Sequence, residues 1–229
     1  MTGPMTEFTP TARSRVKRHH ERGAYDFDAI ASILDAAFLC HVGYVIDGQP
    51  YVTPTSFWRE RDVLYWHGSS ASRMLRTLSN GIDCCFTVTI VDGLVLARSA
   101  FNHSINYRSA MLFGRASAIQ EEAEKLRQLE LFTERMYPGR WRELRPATSQ
   151  EVKATTVLSM TIDEGSAKVR SGPPKDDAPD YDWPVWAGVI PVQAMSLAAQ
   201  PDPSLKDGVP EREYLQALPH IGLQRPGES

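Results

Sequence analysis

The feature that most constrains this chain is a series of short, alternating segments broken by turn signals. Phe38, Cys40, Val42, Tyr44 and Ile46 alternate with other residues, the period-two pattern of a strand with one buried face. Asp47-Gly48 follows, a dipeptide suited to the positive φ of a tight hairpin. Residues 51–58 and 63–67 read as the next two strands, joined by the charged turn Arg59-Glu60-Arg61-Asp62, and Gly68-Ser69-Ser70 ends this meander. Residues 83–91 and 94–97 predict a second hairpin about a turn at Asp92-Gly93, and residues 107–119 a further long strand. A β-branched stretch at 155–162 reads as the last strand.

Helices are fewer. Asp26 or Asp28 can cap one running to about residue 36, with Ile30, Ile33 and Leu34 on one face. A short one fits residues 71–79, with Leu75 and Leu78 inward and Asn80-Gly81 as its left-handed stop. Residues 121–136 predict a longer helix, led by acids, with Leu126, Leu129, Phe132 and Met136 on its apolar face and Pro138-Gly139 after it. Many hairpin-linked strands with few helices favour a mainly β fold with peripheral α-helices, an antiparallel barrel and not a βαβ sheet.

Composition sets limits on function. A net charge of -3 and a pI near 6.1 argue against generic nucleic-acid binding. The basic cluster Arg13, Arg15, Lys17, Arg18, Arg22 with His19 and His20 therefore reads as a flexible or partner-wrapping arm over residues 1–24. A barrel domain is expected over 25–195, and a mobile or partner-draped tail, rich in proline and charge, over 196–229. No apolar signal core or membrane-length apolar run occurs, so a cytoplasmic location without membrane contact is expected. Cys40, Cys84 and Cys85 lie in apolar runs without metal-like spacing and read as buried reduced thiols.

Two places can hold an anion. Ser69, Ser70, Ser72 and Arg73 stand where a strand gives way to a helix, so N–H groups, hydroxyls and a guanidinium can converge. The alternative is a solvated polar turn and an ordinary surface arginine. Arg108, between Tyr107 and Ser109, is either a second anion ligand or a surface salt-bridge residue.

Taken together and in order, the segments Asp47-Gly48-Gln49-Pro50-Tyr51-Val52-Thr53-Pro54-Thr55, Leu64-Tyr65-Trp66-His67-Gly68-Ser69, Ser72-Arg73, Asn106-Tyr107-Arg108-Ser109 and Phe113-Gly114-Arg115-Ala116 resemble the FMN-binding split barrels of the pyridoxamine 5'-phosphate oxidase-like superfamily, in the branch related to nitroimidazole-resistance proteins. The resemblance spans residues 13–192. It implies a six-stranded antiparallel split β-barrel, homodimeric, with FMN at the subunit interface. It places Thr53, Pro54, Thr55 and Ser56 along the isoalloxazine ring; Pro54, which lacks a donor, suits an open strand edge. His67, Ser69, Ser72 and Arg73 would reach the phosphate and ribityl chain, and Tyr107, Arg108 and Ser109 would complete the phosphate site.

His67 is the candidate catalytic residue, its role open between ribityl contact, proton donor and substrate contact, or it is a core histidine bonded to a carbonyl. Segments 166–170 and 183–188 also resemble this branch, and Trp186 either packs on the flavin or is a core or interface tryptophan. An arginine-rich C-terminal segment like that of true pyridoxamine-phosphate oxidases is missing, which puts vitamin B6 oxidation in doubt.

The expected function is an FMN-dependent oxidoreductase that passes electrons from NADH or NADPH to a small acceptor such as a nitroaromatic or quinone. Without a G-x-G-x-x-G element the nicotinamide would dock transiently. A flavin carrier or sensor without turnover is the alternative. Less favoured is a haem-binding barrel with His41, His67 or His103 as axial ligand. No metal site is expected.

Overall fold

The computed structural model describes residues 7–216. Residues 7–24, expected as an arm, lie along their own chain: Phe8 is buried in the core, its N–H donates to the Tyr25 carbonyl, and β1 (Gly23–Ala24) pairs with the segment Ala167–Lys168. α1 (Phe27–Asp35) is capped by Asp26, whose carboxylate accepts the Ala29 N–H at 2.7 Å. Its Ile30, Ile33 and Leu34 are buried.

β2 (Leu39–Ile46), β3 (Gln49–Glu60) and β4 (Val63–Ser69) make the expected meander. Asp47 and Gly48 both take positive φ, 49° and 80°, in the turn between the first two. α2 (Arg73–Leu78) follows and stops at Gly81, φ 72°. β5 (Asp83–Leu96) then runs unbroken beside β6 (Ser104–Arg115). The turn expected at Asp92-Gly93 is instead a bulge: the register shifts between Val91 and Gly93 and pairing continues to Val95. β6 passes through Ala116 into β7 (Ser117–Ala118).

α3 (Glu122–Met136) is the long helix, α4 (Ser149–Ala154) opens on a capping box between Thr148 and Glu151, and β8 (Thr155–Thr161) occupies the place of the expected last strand. It is not the last. β9 (Glu164–Arg170) and β10 (Gly188–Pro191) follow, and α5 (Glu213–Gln216) ends the described chain. β9 escapes a hydrophobic reading because small residues are needed there: a Cβ on Gly165 would run into Leu112. The glycine of Asp92-Gly93 likewise answers to packing, since a Cβ on it would stand 2.9 Å from Val189 of β10.

β5 pairs with β2, β2 with β3, β3 with β4, β4 with β8 and β8 with β7, which continues β6 back to β5. With β6 and β7 counted as one bent strand, six antiparallel strands close a barrel. Phe57, Trp66, Phe86, Leu112, Leu158 and Met160 fill it, Phe57 edge-on to Phe86 at 5.0 Å, and α1 packs into the same core. The barrel is split along residues 49–56 of β3, which pair with β2 on one side and with no strand among the described residues on the other.

α3 roofs the opposite wall, turned from its expected face. Leu129 and Phe132 do pack on Trp58, Tyr65 and Val157, but the buried centre is Gln128. Its Oε1 accepts the Trp58 indole N–H at 2.7 Å and its Nε2 donates to Glu60 and Glu124 at 3.1 and 3.0 Å. Arg135, also on this face, donates to the carbonyls of Leu34, Asp35 and Ala37 and so closes the end of α1. Leu126 lines a cleft beside residues 141–147 instead.

Residues 192–211 hold no regular element and are exposed; Arg212 and Tyr214 then bond to Glu143 at 2.9 and 2.6 Å. The tail expected over 196–229 lies outside the described residues beyond 216. Cys40 and Cys84 are buried, which pushes both thiols up, Cys84 to about 11. No helix among the described residues is long and apolar enough to cross a membrane.

Candidate flavin site

The open edge of β3 is built by the parity of the strand. The Phe57 N–H donates to the Phe38 carbonyl at 3.1 Å, toward β2. Odd-numbered residues of β3 therefore turn their N–H groups to β2, and even-numbered ones to the open side. Pro50 and Pro54 fall on that open side, where their missing donors cost the ladder nothing. Val52 and Ser56 are the residues that keep an N–H there. Thr53 and Thr55 face the other way round the pleat, opposite Val42 and Cys40; the Thr53 hydroxyl is 3.1 Å from that of Tyr44, and the Thr55 carbonyl accepts the Cys40 thiol at 3.3 Å.

One end of the split carries a stack. Tyr44 and Tyr51 are direct partners across β2 and β3, with rings 5.6 Å apart and 16° from parallel, and the Arg73 guanidinium lies 4.4 Å from the centre of the Tyr51 ring. Arg73 makes no ion pair among the described residues. The backbone before α2 offers less than expected. The N–H groups of Ser70, Ala71 and Ser72 already donate to Ala154 O, Ser69 Oγ and Ser69 O. Of the predicted anion site, the Ser70 hydroxyl, the Ser72 hydroxyl, which makes no capping bond, and the Arg73 side chain stay uncommitted to any polar partner among the described residues.

Arg108 stands elsewhere. Its fork takes the Asp92 carboxylate in two hydrogen bonds, 2.9 and 2.7 Å, which raise its pKa. Asp92 is the extra residue of the β5 bulge. Arg108 pairs with Ile90 of β5, whereas Tyr44, in the stack under Arg73, pairs with Cys84. Six residues of strand separate those levels, roughly 20 Å. Within one chain the two predicted phosphate arginines do not converge.

The rest of that motif holds the chain together. The Ser109 hydroxyl donates to the Lys168 carbonyl at 3.2 Å, Tyr107 pairs with Val91 and Arg170, and buried Asn106 accepts from Arg170 and donates to Gly172.

His67 points away from Gly68, onto the wall under α3. Its ring lies 4.7 Å from Phe132 and 5.8 Å from Trp58. Its Nδ1 is buried without a hydrogen-bond partner, so the core reading with a bonded carbonyl does not hold for that nitrogen, and burial pushes its pKa below the ordinary value. Ser69 shares that face at the strand end, exposed. His41 is exposed on the outer face of β2, and the His103 ring is 2.9 Å from the Ser99 carbonyl.

Trp186 is 63% exposed and rests on Gly188. β10 pairs with residues 93–96 of β5, beyond the level of Arg108, so Trp186 does not cover the split of its own chain. No group of three or more His, Cys, Asp or Glu that could hold a metal ion occurs among the described residues.

Sequence reading missed the Tyr44–Tyr51 stack and Asp92. The first had a signal: 44 and 51 are equidistant from the Asp47-Gly48 turn, which makes them partners. Asp92 had none, because Asp-Gly reads as a turn.

Residues 26–169 match the family model of pyridoxamine 5'-phosphate oxidase. Among solved structures, the chain is similar to the flavocytochrome Anf3 from Azotobacter vinelandii, 48% identical, with 92% of this chain and 98% of that one covered and a TM-score of 0.88. It is similar also to the FAD and heme binding protein from Mycobacterium smegmatis, at 36% identity, 86% and 97% coverage and a TM-score of 0.82. A candidate 5-nitroimidazole antibiotic resistance protein from Bacteroides thetaiotaomicron is 27% identical over 63% of this chain and 84% of that one, with a TM-score of 0.51. No curated protein matches.

Proposed function

Because the chain belongs to the pyridoxamine 5'-phosphate oxidase family, we propose that it is a redox protein that binds a flavin and a haem, a flavocytochrome, and works as a homodimer. The observation that carries the flavin is the open edge of β3, with the Val52 and Ser56 donors, the Thr53 and Thr55 hydroxyls and Arg73 over Tyr51 at its end. Such an edge can take a planar, hydrogen-bonding ring where a strand would otherwise lie. A bound flavin would supply hydride and one-electron chemistry, and the haem one-electron chemistry.

FAD is favoured over FMN. FMN ends in a phosphate dianion that calls for a concentration of charged donors. Here Arg108 is committed to Asp92 and the N–H groups before α2 are used, which leaves Arg73. The pyrophosphate of FAD carries less charge per phosphorus, and a relative 36% identical is named for FAD.

For the haem, His67 is the favoured axial ligand of the three histidines. Burial lowers its pKa and so favours the neutral imidazole, the form that ligates iron. The outer face of the sheet, with Leu39, Val45, Val52 and Met111 exposed, is the surface for the second copy. Electron acceptors of the nitroaromatic or quinone class fit an open flavin face, with NADH or NADPH as a transient donor.

The test is the absorbance spectrum of the pure protein with chromatography of its released cofactors. Flavin bands with a Soret band, and FAD in the extract, are expected. Protein without either chromophore, taking up neither on titration, overturns the reading; His67→Ala should abolish or shift the Soret band while the flavin stays.

A further inference from the structure

α3 presents two faces, and the second is uncovered. Gln128, Leu129 and Phe132 turn to the barrel wall, while Ala123, Leu126, Arg127 and Glu130, spaced i, i+3, i+4 and i+7, line up on another side. Between that side and residues 141–147 lies a cleft of about 950 Å³, roughly 10 Å long by the rise of the helix from Ala123 to Glu130. Ala123 and Leu126 line it together with Trp141, Leu144, Pro146 and Ala147.

The far wall is clamped open. The Glu134 carboxylate accepts the Gly139 and Trp141 N–H groups at 2.6 and 2.8 Å and so ties the start of the wall to α3. Glu143 is bonded by Arg212 and Tyr214, and Arg145 pairs with Glu151, whose capping box with Thr148 opens α4. Apolar groups free to close would pack to the density of an interior. A wall held at both ends, with apolar residues between, leaves a space suited to a ligand.

The charges of the cleft select the ligand. Arg127 gives its fork to Glu60 and Glu124, and Arg145 is taken by Glu151. Two lining charges of opposite sign are left. Glu130 and Arg142 are exposed and make no ion pair among the described residues, with each other or with any other group. They stand at one end: Glu130 is one turn of α3 before Glu134, and Glu134 is bonded to Trp141, the residue before Arg142. A lone carboxylate placed there would be repelled by Glu130, and a lone amine by Arg142. A head with both charges on one carbon is attracted by both. No histidine, cysteine, serine or threonine is among the lining residues, so the cleft is equipped for binding and not for covalent chemistry.

We propose that this cleft binds a free apolar α-amino acid, its carboxylate on Arg142, its ammonium on Glu130 and its side chain against Trp141, Leu126 and Leu144. An aromatic side chain suits the flat Trp141 ring best. The volume admits the largest of them with water about the head. The site lies on the outer side of α3, apart from the open edge of β3, and requires neither flavin nor haem.

Calorimetric titration of the full-length protein is the test. L-Phenylalanine should bind with a Kd of about 0.1 mM or tighter, L-leucine more weakly, and glycine not at all. 3-Phenylpropionate, which lacks the ammonium, and phenethylamine, which lacks the carboxylate, should each bind about tenfold more weakly than phenylalanine. Arg142→Gln should weaken phenylalanine and phenylpropionate about tenfold and leave phenethylamine unchanged. Glu130→Gln should weaken phenylalanine and phenethylamine and leave phenylpropionate no weaker. Both side chains are exposed and unpaired, so the ligand-free variants should melt with wild type. Ala123→Trp, which fills the cleft from α3, should abolish binding of every probe.

No binding of phenylalanine up to about 10 mM, or equal affinity in wild type and both charge variants, overturns the proposal. Phenylpropionate bound as tightly as phenylalanine overturns the amino-acid assignment, because the head would then be a carboxylate alone. None of these readouts involves a cofactor: a colourless protein that binds phenylalanine refutes the redox reading and leaves this one standing.

Discussion

Residues 57–60 of β3 are paired with β4 and roofed by α3, whereas residues 49–56 of the same strand keep one edge bare. In the roofed half a chain of polar groups is answered in turn: the Trp58 indole by Gln128, Gln128 by Glu60 and Glu124, and those two carboxylates by Arg127, which holds both below their ordinary pKa. In the bare half, prolines remove two donors and two others are left unanswered by any strand among the described residues. A satisfied buried network specifies packing. An unsatisfied edge beside aromatic rings, on a barrel already closed elsewhere, is the part of the strand free to serve a ligand.

The largest effect that could break this contrast lies in the roofed half. Trp58→Ala removes a fully buried indole stacked on Tyr65 at 5.7 Å and should cost about 3–5 kcal/mol of stability in urea denaturation. Flavin affinity of the folded fraction should be unchanged. A loss of affinity without loss of stability would move the ligand to the roofed side.

Arg73→Ala is the converse. Its guanidinium is exposed, so stability should hardly move, while flavin affinity should fall by about 1.5–3 kcal/mol, the range for a lost charge-assisted hydrogen bond. Fluorescence titration of the apoprotein with FAD and with riboflavin separates the contributions. If Arg73 acts through the phosphates, riboflavin should bind both forms alike.

Gln128→Leu sharpens the comparison with a smaller change. It keeps the volume but leaves the buried Trp58 N–H without an acceptor, for about 1–3 kcal/mol of stability. No effect would mean that the indole finds another partner and that α3 is held by apolar contact alone.

The β2–β3–β4 meander and the antiparallel barrel were legible because alternation and turn residues are local signals: Cys40, Val42 and Tyr44 fall inward as the alternation requires. What escaped depends on packing at a distance. β9 is invisible because Gly165 must be small against Leu112. The buried face of α3 is misread by one position because a glutamine, given partners, displaces leucine from its centre. Asp92-Gly93 carries the composition of a turn, yet β6 pairs straight past it. At the site, Pro54 announced an open edge correctly, since proline's lack of a donor is a property of the residue alone. The meeting of Arg73 with Arg108 was an inference about distance, and the register of β5 places them at opposite ends.

Arg108 therefore supplies the finest test. Its pair with Asp92 is about a third exposed on both sides, 34% and 35%, so solvent screens it and Arg108→Ala should cost less than about 1 kcal/mol of stability. Flavin affinity should change by less than about 0.5 kcal/mol if the carboxylate and not a phosphate is its partner. A loss as large as that for Arg73→Ala would reverse the assignment: phosphate would then displace Asp92 from the fork, and because Arg108 lies roughly 20 Å along the strand from Arg73 in one chain, it would have to reach the flavin of the second copy. Asp92→Asn decides between the two, since freeing the fork of its resident anion should tighten flavin binding in the second case and leave it unchanged in the first.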